Sequence, residues 1–558
     1  MRKRTRPTLS RFLLVIVVLS AMMVAEYPIQ VRANSFTTAI QVPTGSRSLP
    51  TSPSVAQDGS GKIWLAYENK TVGSQSNSEI FLKTLSGTTW SSGQQVTLDP
   101  ADSDATPFVA SLSNGSMMIA WSSNRTGNNQ FQLFYKLYAS TTVKPTTKSI
   151  RLTQSTLNDT QPSIVQDRNG RIWVAWARQN QTSISGGVVY YSDIFYKYFN
   201  GSSWSNDFAL PQDSLTPRQQ EITPYITQSK DGRIWVAWAS NETSDGTFDL
   251  WYKTTDATIY SLPSTGTISW SARTAICCLD TNADDTHPAI VQDRNGTITT
   301  FWDRCAGVLL GCTDDIFYSN SLNNGLAWMT LTALPAASTT NAEASPTVAR
   351  MSDRTVKVFW QKTATLSTEI WYTTSDQVLN IHDVGIASMA TSSRFIRSGL
   401  QWDNSGIMNI NVTVRNYGDF AENTTLTIKL NNTILATILV VNLSINQTRL
   451  FQTSWQSPLG FWGRYSILAT VQPVPTENTI NQADNNWSGG PIRVSPPGDV
   501  DFNGCVNILD AALLAYSYGS SQGPPPSPLW NPNADVDHSG KIDILDAAQL
   551  AFYFGDCV

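Results

Sequence analysis

Pro162-Ser-Ile-Val-Gln-Asp167, then Asn169-Gly170, then Ile172-Trp-Val-Ala-Trp176, is the stretch on which the fold turns. Two short apolar runs joined by Asn-Gly read as a β-hairpin, because that dipeptide reverses an extended chain with little strain. The pattern recurs along the chain. Prolines at Pro53, Pro107, Pro162, Pro224, Pro288 and Pro346 each stand 14 residues before an aromatic: Tyr67, Trp121, Trp176, Trp238, Trp302 and Trp360. Each hairpin is followed by a third strand with a near-constant core: Glu79-Ile-Phe, Gln132-Leu-Phe-Tyr, Asp193-Ile-Phe-Tyr, Asp249-Leu-Trp-Tyr, Asp315-Ile-Phe-Tyr and Glu369-Ile-Trp-Tyr. A fourth strand is expected after most of them, opened by Gly87-Thr-Thr-Trp90, Gly201-Ser-Ser-Trp204 or Gly325-Leu-Ala-Trp328. Four antiparallel strands repeated every 54 to 64 residues predict a β-propeller, which protects sheet edges by radial repetition. Six units predict a six-bladed β-propeller over residues 34–377. The sixth unit stops after its third strand, so Phe36 to Val42 is expected to supply its outer strand and close the ring.

At 558 residues the chain exceeds what one core organises, so several domains are expected. Low charge (15%), abundant Trp, Tyr, Thr, Ser and Asn, and a net charge of −5 suit a mainly β, exported protein and offer nothing to nucleic acid. Arg2, Lys3, Arg4, Arg6 and Arg11, the apolar run Phe12 to Ala25 and Val31-Arg32-Ala33 read as a signal peptide over residues 1–33. An uncleaved anchor is the competing reading. Export agrees with Asn-X-Ser/Thr sequons from Asn69 to Asn486 and with six cysteines. Cys277, Cys278, Cys305 and Cys312 cluster, and Cys505 and Cys557 bracket the last module, so disulfides within modules are expected, with zinc as the alternative for the middle four.

The propeller units resemble the sialidase-like propellers with Asp-box repeats. The best match is Ser321-Leu-Asn323-Asn-Gly325-Leu-Ala-Trp328, with Asn for the motif's Asp and Ala for its Thr. The resemblance implies the fold, and a glycoside hydrolase such as a sialidase as the alternative function. A sialidase would need an arginine triad, an acid/base Asp and a Tyr with its Glu, and that set cannot be assembled, so the catalytic residues are left unassigned. Chemistry at the channel mouth would draw on Glu68, Arg125, Arg178, Glu242, Asp303, Arg304 and Lys362, expected in strand-end loops. A further ring of acids lies three residues before the prolines: Asp104, Asp159, Glu221, Asp285 and Glu343. Such groups can bind sugar hydroxyls or a cation, or serve turn chemistry alone.

Past Asp376 the pattern changes to alternating strands at Asp383-Val-Gly-Ile386, Ile407 to Gly418, Leu426 to Leu430 and Tyr465 to Val471. About seven short strands over residues 378–494 predict an immunoglobulin-like β-sandwich. Val412-Thr-Val-Arg-Asn-Tyr-Gly418, Gly463-Arg-Tyr-Ser-Ile, Glu477 and Asn485-Asn486 resemble the CARDB adhesion-related domains, which implies a spacer or a second ligand site. Gly489 to Gly498 reads as a linker.

The C-terminal segment, residues 495–558, carries one loop twice. The first loop runs Asp499, Asp501, Asn503, Gly504, Cys505, Asn507, Asp510, and the second Asp535, Asp537, Ser539, Gly540, Lys541, Asp543, Asp546. Oxygen donors at loop positions 1, 3, 5, 9 and 12, a backbone carbonyl at 7 and glycine at 6 fit Ca²⁺, a hard ion that takes six to eight oxygens. Two such loops predict two calcium ions. Asp at position 12 and Pro496-Pro497 before the first loop depart from calmodulin-like sensors. With the near-duplicate segments Ile508 to Gly519 and Ile544 to Gly555, the module resembles a dockerin, a small paired EF-hand-like unit. The resemblance implies a cohesin-domain partner and places Ile508, Leu509, Ile544 and Leu545 where dockerins read it, although these could equally pack inside the module.

Overall fold

The computed structural model describes residues 35–558 apart from 46–47, 72–76, 99–101, 128–129, 142, 185–186, 212–218, 243–245, 257–267, 278–282, 307–312, 365–366, 377–380, 394, 398–406, 458–461 and 478–480. The expected signal peptide, Cys278 and Cys312 lie outside the described residues. The structure is mainly β, with two short α-helices among the described residues. None of the helices is long and apolar enough to cross a membrane.

Six antiparallel sheets come first. Their proline-bearing first strands are Ser48–Gln57, Asp104–Ser111, Asp159–Gln166, Glu221–Gln228, Ala283–Gln292 and Ala342–Arg350. Second strands follow at Ile63–Thr71, Ser116–Ser123, Ile172–Ile184, Ile234–Ser240, Ile298–Ala306 and Val356–Ala364, and third strands at Glu79–Ser86, Gln132–Ala139, Gly187–Phe199, Asp249–Thr254, Asp315–Ser321 and Ser367–Thr374. The outer strands are short, such as Gln94–Gln95, Phe208–Ala209, Thr274–Ala275 and Thr332–Ala333. In the first sheet Thr89–Trp90 pairs with the third strand at the Gly87 signal, as expected, and Trp204 bridges Phe199; the ladders at Gln94–Gln95, Phe208–Ala209 and Thr332–Ala333 begin a few residues after the Gly-x-x-Trp signals.

Each first strand packs against the next, and the sixth packs against the first. The apolar residues divide accordingly, one cluster between each consecutive pair of sheets. Trp64 and Trp121 meet between sheets one and two, Trp173 and Trp238 between three and four, and Leu65 and Phe359 between one and six. This is why the second strands are apolar on both faces: each is covered by a neighbouring sheet on either side. The closure expected from the N-terminal segment is present. Ile40–Gln41 pairs with the sixth sheet in the register Ile40↔Tyr372 and Gln41↔Trp371. Val42 is fully buried, and its N–H donates to the Ile370 carbonyl at 2.8 Å.

Every first strand breaks register at its proline, between Thr51 and Ser54, Ala105 and Phe108, Thr160 and Ser163, Ile222 and Tyr225, Thr286 and Ala289, and Ala344 and Thr347. Proline has no N–H to give the ladder, so the bulge falls where that donor is missing. The third sheet departs from the rest: its second and third strands are 13 residues each and pair from Ile172↔Phe199 to Ile184↔Gly187.

Past residue 380 two sheets face each other. Val384–Thr391, Ile407–Asn416 and Thr448–Gln456 form one; Phe395–Arg397, Asn486–Ser495, Gly463–Val471, Glu422–Leu430 and Thr433–Leu443 form the other. Eight strands stand where about seven were expected. Inward residues alternate with exposed ones, and Val384, Met408, Ile410, Leu426, Ile428, Ile467 and Trp487 meet in a shared core. The expected linker is corrected: Gly489 to Ser495 belongs to the strand Asn486–Ser495, because Ile492 and Val494 have a core to enter. Only Pro496 to Gly498 joins it to the C-terminal module.

That module holds α1 (Ile508–Ser517) and α2 (Ile544–Phe552). Leu514 and Leu550 meet Val500, Val506, Val536 and Ile542 from the loops. Cys505 and Cys557 form a disulfide across a sequence separation of 52, tying the first loop to the C-terminal residues. Shortening the unfolded chain by a loop of this size contributes about 4 kcal/mol on loop-entropy grounds. Cys277 and Cys305 are also disulfide-bonded.

Candidate functional site

At one end of the ring the acids that precede the prolines are buried and engaged, four of them within their own sheets and Glu221 with the preceding one. Asp104 accepts from the Trp121 indole at 3.0 Å and from Arg125 at 2.7 and 2.8 Å. Asp159 does the same with Trp176 at 2.9 Å and Arg178 at 2.6 Å, as does Asp285 with Trp302 at 2.8 Å and Arg304 at 2.9 Å. Glu343 takes Lys362 at 3.1 Å, and Glu221 accepts from the Ile194 N–H at 3.2 Å. Asp104, Asp159 and Asp285 thus anchor a tryptophan and an arginine to the start of the second, third and fifth sheets, and charge-assisted bonds of this kind are costly to break when buried. Glu68, Arg178, Asp303, Arg304 and Lys362 stand inside strands rather than in the loops expected; Arg125 and Glu242 follow strand ends. Glu242 pairs with Arg273.

Sequence reasoning missed what the repeated proline does. The residue before each one, Ser52, Thr106, Gln161, Thr223, His287 and Ser345, holds a positive φ of 47° to 56°. The backbone N–H so displaced is caught each time by a side chain of the preceding sheet. Gln361 takes Ser52 at 3.0 Å, Glu68 takes Thr106 at 3.3 Å, and Thr106 takes Gln161 at 3.3 Å. Gln161 in turn takes Thr223 at 2.9 Å, Thr223 takes His287 at 3.2 Å, and Asp303 takes Ser345 at 3.1 Å. The girdle passes once round the axis. It lines a cavity of about 100 Å³ to which all six first strands contribute.

Below the girdle the axis is closed. Tyr225 stacks edge-on to Phe108 with centroids 5.7 Å apart, and its hydroxyl donates to the Val348 carbonyl at 3.3 Å, so one side chain from the fourth sheet touches the second and the sixth. The axis is thus a cup, with a separate cavity beneath it. Among the described residues His287 and Tyr225 are the titratable side chains that line the cup, and His287 is the one whose ordinary pKa lies near neutrality. Its Nδ1 lies 3.0 Å from Asp303 Oδ1, and Thr286 Oγ1 donates to Asp303 Oδ2 at 2.7 Å. Burial pulls the imidazole pKa down, but the Asp303 carboxylate overrides it and raises it above 6.5. Burial also raises Asp314, with Asp303 adding to the shift. The best Asp-box match forms a turn: Ser321 Oγ accepts from the Gly325 N–H at 2.8 Å, and Asn323 Oδ1 from the Ala327 N–H at 2.8 Å.

In the C-terminal module the structure gathers the candidate ligands into two clusters. Carboxylate oxygens of Asp499, Asp501 and Asp510 lie within 4.8 Å of one another, as do those of Asp535, Asp537 and Asp546. Gly504 and Gly540 sit at φ 98° and 81°, the left-handed conformation that the sharp bend at loop position 6 requires. Position 12 is drawn under each loop: Asp510 accepts from the Val500, Asp501 and Asn507 N–H groups, and Asp546 from those of Asp537 and Asp543. At position 9, Asn507 and Asp543 cap α1 and α2 with one side-chain oxygen, each within a capping box. Asn503 Oδ1 accepts from the Cys505 N–H, while Ser539 Oγ donates to the Lys541 carbonyl. Asp499 Oδ1 is buried without a partner, and burial raises the Asp499, Asp535 and Asp546 carboxyls. Three carboxylates held this close repel one another, and in the first cluster Asp499 Oδ1 has no donor; a hard cation relieves both. Ile508, Leu509, Ile544 and Leu545 are between 58% and 71% exposed, so they do not pack inside the module.

No curated protein matches the chain. Among solved structures it is similar to a protein of unknown function from Dyadobacter fermentans, with 10% identity and a TM-score of 0.48, over 62% of this chain and 100% of that one. It is similar to an α-L-arabinanase from Penicillium chrysogenum, with 12% identity and a TM-score of 0.42, over 61% and 98% of the two chains. The Hadza microbial sialidase Hz136 aligns at 11% identity and a TM-score of 0.41, over 59% and 66%. Residues 497–555 match the Dockerin type I domain family, a kind of domain that binds calcium and cohesin, and this C-terminal segment is a dockerin type I domain.

Proposed function

We propose that this protein is an exported component of a surface or extracellular assembly, docked by calcium through its C-terminal module and presenting a glycan-binding ring. The ring, residues 34–377, is read as a six-bladed β-propeller; residues 378–494 as an immunoglobulin-like spacer of CARDB type; residues 495–558 as the docking module. The observation that carries the reading is the pair of acid clusters beside two identically exposed apolar pairs, Ile508-Leu509 and Ile544-Leu545. Two calcium ions order the loops, and the paired faces meet a cohesin domain. The cup, with His287, Gln161 and Thr223 in its wall, suits hydrogen-bonding contacts with a sugar, and the long hairpin of the third sheet exposes Tyr190 for stacking.

One observation favours a second reading, a glycoside hydrolase. Burial raises the Asp314 carboxyl and the nearby Asp303 raises it further, the direction an acid/base carboxyl needs, and Asp303 itself contacts His287 of the cup wall. A single experiment separates the two. The full chain is captured on immobilised cohesin domains in calcium and in EDTA, then offered a mixed glycan library, with retained and released sugars identified by mass spectrometry. Capture in calcium alone with sugar retained supports the binding reading, and release that stops with Asp314→Asn supports the hydrolase. Capture that is indifferent to EDTA sinks the docking assignment.

A further inference from the structure

A third acid cluster lies outside the dockerin module. Asp383 precedes the strand Val384–Thr391, and Glu477 and Asp484 lie ahead of the last strand of the two-sheet unit. Their carboxylate oxygens come within 4.8 Å of one another, and all three residues are buried. Asp383 Oδ1, Glu477 Oε1 and Asp484 Oδ1 have no hydrogen-bond partner. A neutral oxygen, Oδ1 of Asn485, is also unpartnered on a side chain only 1% exposed. The same amide lies against the cluster, its Nδ2 at 3.2 Å from Glu477 Oε2. Gly385 makes room: a Cβ there would stand 2.2 Å from Asp484 Oδ1.

The charges do not balance. Among the described residues one cation touches the cluster, Lys230 of the ring's fourth sheet, at 2.7 Å from Asp383 Oδ2 and 2.9 Å from Asn481 Oδ1. Arg294 and Arg354 are engaged by Asp419, and Arg168 lies over the Trp487 ring, so these act only at longer range, as does Arg350. Three carboxylates against one ammonium leave two negative charges, which a divalent ion would neutralise. Oxygens on opposite sides of a calcium ion are about 5 Å apart, and the three carboxylate oxygens lie within that reach of one another, inside 4.8 Å. Asp484 also lines the cavity of about 400 Å³ between the ring and the two-sheet unit, beneath Tyr225, which gives an ion a place to enter.

We propose that Asp383, Glu477 and Asp484, with Oδ1 of Asn485, bind one hard divalent cation, calcium, at the joint between the ring and the two-sheet unit. Without an ion, burial, reinforced by the neighbouring Asp383, pushes the Glu477 carboxyl up to about 7. With the ion, the two-sheet unit is stiffened where it meets Lys230. Calcium then both docks the chain and braces it.

The test uses the full chain with both dockerin loops disabled by Asp499→Ala, Asp510→Ala, Asp535→Ala and Asp546→Ala, stripped with chelator, dialysed against calcium and assayed by elemental mass spectrometry. One bound ion per chain is expected, falling to none when Glu477→Gln and Asp484→Asn are added. An ion-free chain at the first step overturns the proposal and leaves water and protons in the site. An ion that survives Glu477→Gln and Asp484→Asn also overturns it, since the ion then lies elsewhere. Should those two substitutions prevent folding, the loop-disabled chain is melted in calcium and in EDTA. A higher midpoint in calcium upholds the site, and identical midpoints refute it.

Discussion

Ser52, Thr106, Gln161, Thr223, His287 and Ser345 each hold a left-handed backbone that costs about 1 kcal/mol or more for a residue other than glycine. Six such residues persist because each displaced N–H finds an acceptor on the preceding sheet, so local strain is turned into contacts between sheets. The proline beside each is legible in the sequence as a period; the strain is not, since nothing in Thr-Pro or His-Pro announces a positive φ. His287 is where this ring becomes titratable. Its pKa is raised by Asp303, so the pair stabilises the folded chain fully below about pH 6.5. That contribution is lost as pH rises through the folded value. An NMR titration of His287 is expected to show a midpoint above 6.5 that drops when Asp303→Asn removes the partner charge, while an unchanged midpoint would mean that Asp303 does not set it.

At the scale of elements, the N-terminal strand shows how a two-residue ladder can matter. Ile40–Gln41 alone would be marginal, but Val42 beyond it is fully buried with Leu65, Phe359 and Ile370 between the first and sixth sheets. Val42→Ala removes two methyl groups from that seam and is expected to cost about 2 kcal/mol in urea unfolding of the full chain, mostly as faster unfolding. A loss within error would show that the closure does not hold the ring. The dockerin helices illustrate the opposite balance. Their capping residues Asn507 and Asp543 also stand at position 9 of the duplicated loops, so the helix start and a proposed calcium ligand coincide in one residue. Gly87-Thr-Thr-Trp90 marked a paired outer strand, whereas at Gly201 and Gly325 the main ladder resumes a few residues later, where only pairing with the third strand shows it. The long hairpin of the third sheet had no signal distinct from a loop, since Asn180 to Ser185 is polar but for Ile184 and two glycines follow.

Across the whole molecule, the three parts meet through side chains that no single module explains. Lys230 crosses from ring to two-sheet unit to reach the buried Asp383, Arg294 reaches Asp419, and Trp462 meets Tyr553 of the dockerin edge-on at 5.5 Å. Lys230→Met keeps the length and removes the charge, leaving Asp383 buried and unpaired. It is expected to cost about 3–5 kcal/mol and to split one calorimetric transition of ring and two-sheet unit into two. A single unshifted transition would show that the joint carries no stability. The repeat, the change of pattern after residue 376 and the duplicated calcium loops were determined by the sequence itself, because local periodicity and fixed ligand spacing are properties of neighbouring residues. Only the tertiary structure decided the girdle of displaced N–H groups, the Tyr225 plug and the buried cluster of Asp383, Glu477 and Asp484. Each joins residues dozens to more than a hundred positions apart, and their chemistry comes from burial and mutual distance, which no spacing along the chain encodes.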